Sequence, residues 1–362
     1  MRIKSTIKDM KVVAVLVKNL VSGGAEKQAF LLAKALSTAY DSHLIVWNGS
    51  VVDDKFRAQF ADSGINIHLV MGGGIARMRG VCALIKSLRP EVIFSSLTAA
   101  NAFAAIIGKM YSIPVVTSLR CTWFPRHKMI AERFVTNHLV ALTVPNSYTG
   151  KEIFAKAGFK ADRLEVVSNC FENIKEYEPK ESHDEIKVIS VGRFVPEKDY
   201  GTAIAAMAQA MKQVPALRYD IVGYGALEEQ IRKQVEEHVI GDKVRILINP
   251  SNIPQLLDEA DIYLSTSSSE GTSNAILEAM NADLPVVATR VGDNDRLVCE
   301  GVNGFLHSVG DAESIAASVV KLAQDEPARV NMGEASKRHL ADTFSVETFT
   351  ARYDAIIKRL TK

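Results

Sequence analysis

Asp261-Ile-Tyr-Leu-Ser265-Thr-Ser-Ser-Ser-Glu270-Gly-Thr-Ser-Asn-Ala-Ile-Leu-Glu278-Ala-Met280 changes character twice. Its first five residues are mostly apolar and read as a buried strand. Small polar residues and one glycine then break the run. A helix follows, carrying a second glutamate. Thr272 or Ser273 is expected to cap it, because a side-chain oxygen there can accept an orphan N–H of the first turn. The loop thus brings backbone donors and the positive end of a helix dipole to one point, which suits a phosphate. Glu270 in the loop and Glu278 about one turn into the helix are suited to accept hydrogen bonds from hydroxyls, as on a ribose and a sugar ring. On spacing alone, a pair of solvated charges is the competing reading.

The same strand–loop–helix unit recurs along the chain. Residues 12–17 (Val-Val-Ala-Val-Leu-Val) are apolar without a break, as in a parallel strand covered on both faces. Further strands are expected at 43–47, 65–70, 92–96, 115–119, 140–144 and 164–167, with helical stretches between, 101–110 among them. Residues 172–185 are charged, contain Pro179 and read as a linker. The alternation restarts with strands at 187–191, 219–222, 244–248, 262–265, 286–288 and 304–307. A helix is expected at 202–212 and another at 311–324, before Pro327. Residues 346–360 form an apolar face at helical spacing through Phe349, Tyr353, Ile356, Ile357 and Leu360. The reading is α/β, with two doubly wound domains whose ligands lie at the carboxyl ends of the strands.

Length and composition agree. At 362 residues the chain exceeds one ordinary domain, and 47% hydrophobic content supplies two cores. The four cysteines are scattered with no Cys-x-x-Cys pair, which fits a reducing, cytoplasmic setting and argues against a zinc site. No apolar run reaches membrane-spanning length. The first ten residues, with Lys4, Lys8 and Asp9, lack the apolar core of a secretory signal. The net charge of +1 hides an asymmetry. Residues 1–175 hold 23 Lys+Arg and 12 Asp+Glu, hence +11, and residues 176–362 hold 20 and 30, hence −10. The first half is expected to face something anionic, such as a membrane surface. Aromatic-basic interleaving is missing, so nucleic acid is not expected.

Several constellations sit at strand ends. Gly23-Gly24 can bring bare N–H groups to a phosphate or sugar, or simply make a tight turn. Gly192-Arg193-Phe-Val-Pro-Glu-Lys198 puts two cations just past the first strand of the second domain, where they could hold a pyrophosphate as it leaves. Gly223-Tyr-Gly225 lacks the third glycine of a dinucleotide fingerprint and reads as a turn. Gly72-Gly-Gly74 reads as a flexible connection. Asp293-Asn-Asp295 has the spacing of a cation-binding pair, yet Arg290 and Arg296 are close by and no metal is expected. His127, between Arg126 and Lys128 after Cys121-Thr-Trp-Phe-Pro125, could meet an acceptor.

Gly-Gly-Ala-Glu-Lys27, Val-Gly-Arg-Phe-Val-Pro-Glu-Lys198, the Glu-x-seven-Glu stretch from Glu270 to Glu278 and Leu284-Pro-Val-Val-Ala-Thr289 occur in the order seen in glycosyltransferase family 4, which the chain resembles over nearly its whole length. The resemblance implies the GT-B fold, two Rossmann-like domains facing a cleft. Residues 1–175 are then the acceptor-side domain, with the helix from about 346 to 362 packing back on it, and residues 176–345 bind the nucleotide sugar. It implies a retaining, metal-independent transfer from a nucleoside diphosphate sugar, needing no cofactor, to an acceptor hydroxyl, in lipid-linked glycan or surface polysaccharide synthesis at the inner face of a membrane. Glu270 would contact the donor sugar and Glu278 the ribose. Arg193 and Lys198 would hold the diphosphate, with Gly23, Gly24 and the backbone near Thr272, Ser273 and Asn274 on phosphate or sugar oxygens. The base would lie near residues 246–249. Two departures stand out: Asn169-Cys170 where the family often has Asn-Gly, and Gly292-Asp-Asn-Asp-Arg296 where it often has Gly-Gly-x-x-Glu. A nucleotide-sugar epimerase or phosphorylase of the same fold, and a non-catalytic nucleotide-sugar-binding protein, are the alternatives.

Overall fold

The computed structural model describes residues 10–21, 23–121, 124–178 and 184–361. The expectations that rest on residues 1–9, Ser22, Thr122, Trp123 and Pro179 lie outside the described residues. The chain forms two compact units: residues 1–172 with 346–362, and residues 173–345.

Each unit is built on a six-stranded, all-parallel sheet. The first contains β1 (Val12–Val17), β2 (Asp41–Val46), β3 (Asn66–Leu69), β4 (Val92–Ser96), β5 (Val115–Leu119) and β6 (Leu142–Pro145), in the order β3-β2-β1-β4-β5-β6. The second contains β7 (Ile186–Arg193), β8 (Leu217–Tyr224), β9 (Val244–Ile248), β10 (Ile262–Ser265), β11 (Val286–Thr289) and β12 (Gly304–His307), in the order β12-β11-β10-β7-β8-β9. Counted from its own first strand, the second sheet repeats the order of the first. The direction in which successive strands are added across the sheet reverses between β1 and β4, and again between β7 and β10. At those two points the loops leave to opposite sides and open a crevice at the carboxyl ends.

The unbroken apolar run of β1 is explained by two different cores. Val13, Val15 and Val17 point to one face, where they meet Ala29 and Leu32 of the helix Gly24–Leu36. Ala14 and Leu16 point to the other, against Ile85, Phe103 and Ile107. The C-terminal helix, Val346–Leu360, closes the first of these faces with Phe349, Tyr353, Ile356 and Ile357. The second unit is packed in the same way, with Val188, Tyr219 and Ile221 of its sheet against Ala203, Ile204 and Met207 of the helix Tyr200–Gln213.

Several expectations are corrected. Residues 164–167 are not a strand and make only an isolated bridge, Thr143 to Leu164. Glu165 N and Val167 N donate to the carbonyls of Thr143 and Pro145, at 3.1 and 3.2 Å. Pro145 has no N–H to return, so the ladder cannot continue. Gly72-Gly-Gly74 is a helix start rather than a free connection: Gly73 is the N-cap of the helix Gly74–Leu88, and Gly72 has φ +103°. Pro327 begins a further helix, Glu326–Phe344, whose N-cap Asp325 accepts from Ala328 N at 3.0 Å. A proline in the first turn costs nothing, because its missing N–H would be unpaired there anyway.

Because the C-terminal helix completes only the first unit's core, its loss should be felt locally. Ile357→Ala is expected to destabilise the first unit by about 2–5 kcal/mol, as large-to-small core changes do. Hydrogen exchange should quicken over β1 and β2 while β7 and β8 stay unchanged; equal acceleration in both sheets would contradict it.

Candidate active site

The best-defined polar constellation lies at the carboxyl ends of β7 and β10, the switch point of the second sheet. β7 ends on Arg193, and the next residue, Phe194, is fully buried. Phe194 N donates to Tyr224 O at 2.7 Å, and its ring meets Tyr200 edge-on at 5.2 Å. Tyr200 in turn donates to Gly192 O at 3.1 Å. Beside this, Gly223 is no turn: it lies within β8, so close to β7 that a Cβ there would fall 1.8 Å from Gly192 O. The anchored neighbours leave Arg193 exposed, with no ion pair or side-chain hydrogen bond among the described residues.

A short turn, Pro196–Lys198, then doubles back. Asp199 adopts φ +44° and caps the helix Tyr200–Gln213, its carboxylate accepting from Thr202 N at 3.3 Å and Thr202 Oγ1 at 2.6 Å. The turn is tied to the loop after β10. Thr266 Oγ1 donates to Asp199 O at 2.8 Å, and Ser268 N donates to Glu197 O at 2.8 Å. The result is an ion pair between Lys198 Nζ and Glu270 Oε1 at 2.6 Å, joined by Ser267 Oγ at 2.8 Å. The two side chains are only 21% and 13% exposed, so the pair is largely shielded from water.

The far side of the Glu270 loop is fixed by the next strand. Thr289 Oγ1 donates to Ser267 O at 2.5 Å, and Asp293 N donates to Gly271 O at 3.2 Å. Gly292, at φ +57°, lies so close that a Cβ would fall 2.4 Å from Glu270 O. Asp293 and Asn294 are buried in this support, and no group of three metal-ligating side chains occurs among the described residues. Ser273 is the N-cap of the helix Asn274–Asn281, but its side chain makes no capping bond, contrary to expectation. Its backbone alone starts the helix, with Ser273 O accepting from Leu277 N at 3.2 Å. Glu278 is half-buried on that helix. Burial, then the charges of Tyr200, Glu270 and Glu278, hold the Tyr263 phenol well above its ordinary pKa, and its hydroxyl donates to Val191 O at 3.3 Å.

A model of group 1 glycosyl transferases matches residues 172–339, and a model of glycosyltransferase family 4 matches residues 22–172. The chain belongs to glycosyltransferase family 4. Over 186 residues it is 31% identical to the amylovoran biosynthesis glycosyltransferase AmsK of Erwinia amylovora, covering 49% of this chain and 46% of that protein. Over 220 residues it is 29% identical to the N-acetyl-alpha-D-glucosaminyl L-malate synthase of Bacillus anthracis, covering 61% and 56%. The matches thus span about half the length of these curated relatives. The structure of Anabaena Alr3699/HepE in complex with UDP matches 97% of this chain and 100% of that one, with TM-score 0.83 and 22% identity. That likeness shows the GT-B fold.

In the family's first unit, Gly23 is the N-cap of the helix Gly24–Leu36 and Gly24 its first residue. The Glu26 carboxylate folds back on this start, its Oε2 only 2.4 Å from where a Gly23 Cβ would be. Burial, with a smaller push from Asp53, raises the Glu26 pKa. A carboxylate therefore stands at the helix end where sequence reading places a phosphate. The Asn169-Cys170 departure also has an account. The Gln28 side chain clamps the Cys170 backbone, accepting from its N at 3.1 Å and donating to its O at 2.9 Å. Cys170 has no positive φ, so glycine is not required there. Glu26, Gln28 and Asn169 carry no motif that names their roles; only the fold brings them to this edge. Arg126, His127 and Lys128 are exposed on the helix Arg126–Phe134.

The Lys198–Glu270 pair should behave as one unit. Lys198→Met leaves a shielded carboxylate uncompensated, so adding Glu270→Gln should restore part of the lost stability. A thermal-denaturation cycle is expected to give a coupling of ~1–3 kcal/mol. Additive effects would show that the pair does not form in solution.

Proposed function

We propose that this chain transfers a sugar from a nucleoside diphosphate sugar to an acceptor hydroxyl with retention at the anomeric carbon, and without a metal. The observation that carries the reading is the switch-point arrangement: Arg193 unpaired, and Lys198 bonded to Glu270 at 2.6 Å. The diphosphate would engage Arg193 and draw Lys198, leaving Glu270 to accept from a sugar hydroxyl and Glu278 from the ribose. Thr272, Ser273 and Asn274 would approach phosphate or sugar oxygens through their backbone, and in the first unit so would Gly23 and Gly24. In the reaction, the bond from the anomeric carbon to the β-phosphate oxygen breaks and one to the acceptor oxygen forms. The acceptor proton passes to the departing diphosphate, whose charge the two cations offset. UDP is the favoured nucleotide, because the Anabaena structures hold UDP and UDP-glucose.

We place the acceptor at a membrane, among lipid-linked intermediates of surface polysaccharide; AmsK is named only for amylovoran biosynthesis, and the support on this chain is its basic first half. Residues 71–140 contain nine Lys+Arg and two acids, Glu91 and Glu132. Glu91 pairs with Lys11 at 2.9 Å and Glu132 is buried, so the basic surface has little to neutralise it. The helices Gly74–Leu88 and Thr98–Tyr111 pack on one face of the first sheet, and Arg126–Phe134 lies against Thr98–Tyr111. They expose Ile75, Met78, Ile106, Met110, Ile130 and Phe134 among these cations. Cations attract anionic headgroups and apolar side chains enter the interface, as in peripheral membrane binding. Among the described residues no helix is long and apolar enough to span a membrane.

Two experiments test this. Arg193→Ala is expected to slow sugar transfer from UDP-sugars by roughly 100-fold, as loss of one charge stabiliser does, and EDTA to leave the parent's rate unchanged. Parent-like turnover by the variant, or loss in EDTA restored by manganese, would remove the diphosphate assignment. Binding only to nucleotide sugar, with no transfer or hydrolysis, would point to a non-catalytic protein. In co-sedimentation, the protein is expected to bind phosphatidylglycerol vesicles and not phosphatidylcholine vesicles, and to be released by salt. Failure to bind either would move the acceptor into solution.

A further inference from the structure

We infer that Arg120 is the core of an anion-binding subsite in the first unit, taking a phosphate or carboxylate on the acceptor; only the word acceptor rests on the function proposed above. Arg120 directly follows β5, on the same carboxyl edge as Gly23-Gly24. It is half-buried, and its Nε is sealed from solvent with no hydrogen-bond partner. Nη1 donates to Asn169 Oδ1 at 2.9 Å and Nη2 to the Tyr353 hydroxyl at 3.4 Å. Among the described residues, two of the four N–H donors on Nη1 and Nη2 are therefore unused. Two other partly buried arginines, Arg163 and Arg329, each donate to two backbone carbonyls. Arg77 shares a sealed, unpartnered Nε and bonds the neutral Asn48, but it lies on the helix Gly74–Leu88 and not on a strand end. Among the described residues Arg120 bonds only neutral acceptors.

Both neutral partners are themselves held. Tyr353 is fully buried, edge-on to Phe94 at 5.4 Å and to Phe349 at 4.8 Å. Asn169 is buried and adjoins Cys170, which Gln28 clamps. Three distant segments thus aim one guanidinium, and fixed donors of this kind lower the cost of capturing a ligand. Burial pushes the Cys170 thiol up to about 12, and the charge of Arg120 pulls against it. On the neighbouring strand end, Leu97 has φ +75° and ψ +142°, a conformation otherwise left to glycine. Such strain persists chiefly where a ligand-binding edge needs it. A charged, under-satisfied fork recognises two oxygens of one anionic group. A lipid-linked phosphate and an acidic sugar share that chemistry.

The test uses the full chain and two probes, phenyl phosphate and methyl glucuronide, titrated calorimetrically against the parent, Arg120→Gln, Arg120→Lys and Arg193→Ala. Affinity for at least one probe is expected to fall about tenfold or more in Arg120→Gln and several-fold in Arg120→Lys, which keeps the charge but loses the fork, with little change in Arg193→Ala. The preferred probe names the source, phosphate or carboxylate. If Arg120→Gln fails to fold, Arg120→Lys carries the comparison. Loss in Arg193→Ala alone, or no binding of either probe by the parent, overturns the inference. UDP titration of the same proteins separates the two readings. If the parent does not bind UDP, the donor reading fails while the Arg120 result stands on its own.

Discussion

The switch point of the second unit depends on a shielded ion pair. Lys198 leaves the β7 side of the switch point and Glu270 the β10 side, and they meet at 2.6 Å. Bringing an ammonium and a carboxylate this far out of water is costly unless each is paired and hydrogen-bonded. Ser267 supplies the additional bond, and Thr266 and Ser268 fix the backbones from which both side chains reach. The arrangement is self-consistent only with the turn at Asp199 and the close approach of Gly292, since either displacement would separate the charges. An incoming diphosphate competes for the same lysine. The pair therefore holds the loops in register before a ligand arrives, and its partial replacement is a natural response to one.

The two sheets show why loops of such different sequence can end in comparable places. Each unit starts with a central strand, builds outward to one edge, returns, and builds to the other. That order opens a crevice at the carboxyl ends between the first and fourth strands. In the second unit the crevice is lined by charge of both signs. In the first it is approached by Gly23-Gly24, the folded-back Glu26 and the strained Leu97, with Arg120 one strand further on. The fold gives both positions for free, and the side chains set what each can bind.

How much of this could be read from sequence follows from which forces are local. Strands 92–96, 115–119 and 262–265 are found where their apolar runs predict, because burial on both faces leaves a signal in consecutive residues. Residues 164–167 have the same signal and no ladder, because the obstacle is Pro145 on another segment. Pro327 looks like a stop and is a start, since the meaning of a proline depends on its place in the helix. The glutamates and cations of the second unit were legible as residues. Their pairing was not, because 72 positions separate Lys198 from Glu270 and only the strand order joins them. Glu26 and Asn169 stood inside motifs that gave them no role, and Gln28, whose clamp on Cys170 spans 142 positions, left no sequence signal.

The C-terminal helix ties stability to chemistry in the first unit. Its buried face supplies Phe349, Ile356 and Ile357 to the core beneath β1, and on that face Tyr353 directs its hydroxyl to Arg120. A phenol there, rather than another isoleucine, costs hydrophobic burial and introduces a polar atom that needs a partner. The guanidinium is that partner, and the phenol contributes to holding it. Core packing alone explains an apolar residue at position 353. A tyrosine whose ring is locked between Phe94 and Phe349, and whose single side-chain polar atom faces a half-buried arginine at a strand end, has a second duty in holding that arginine in place.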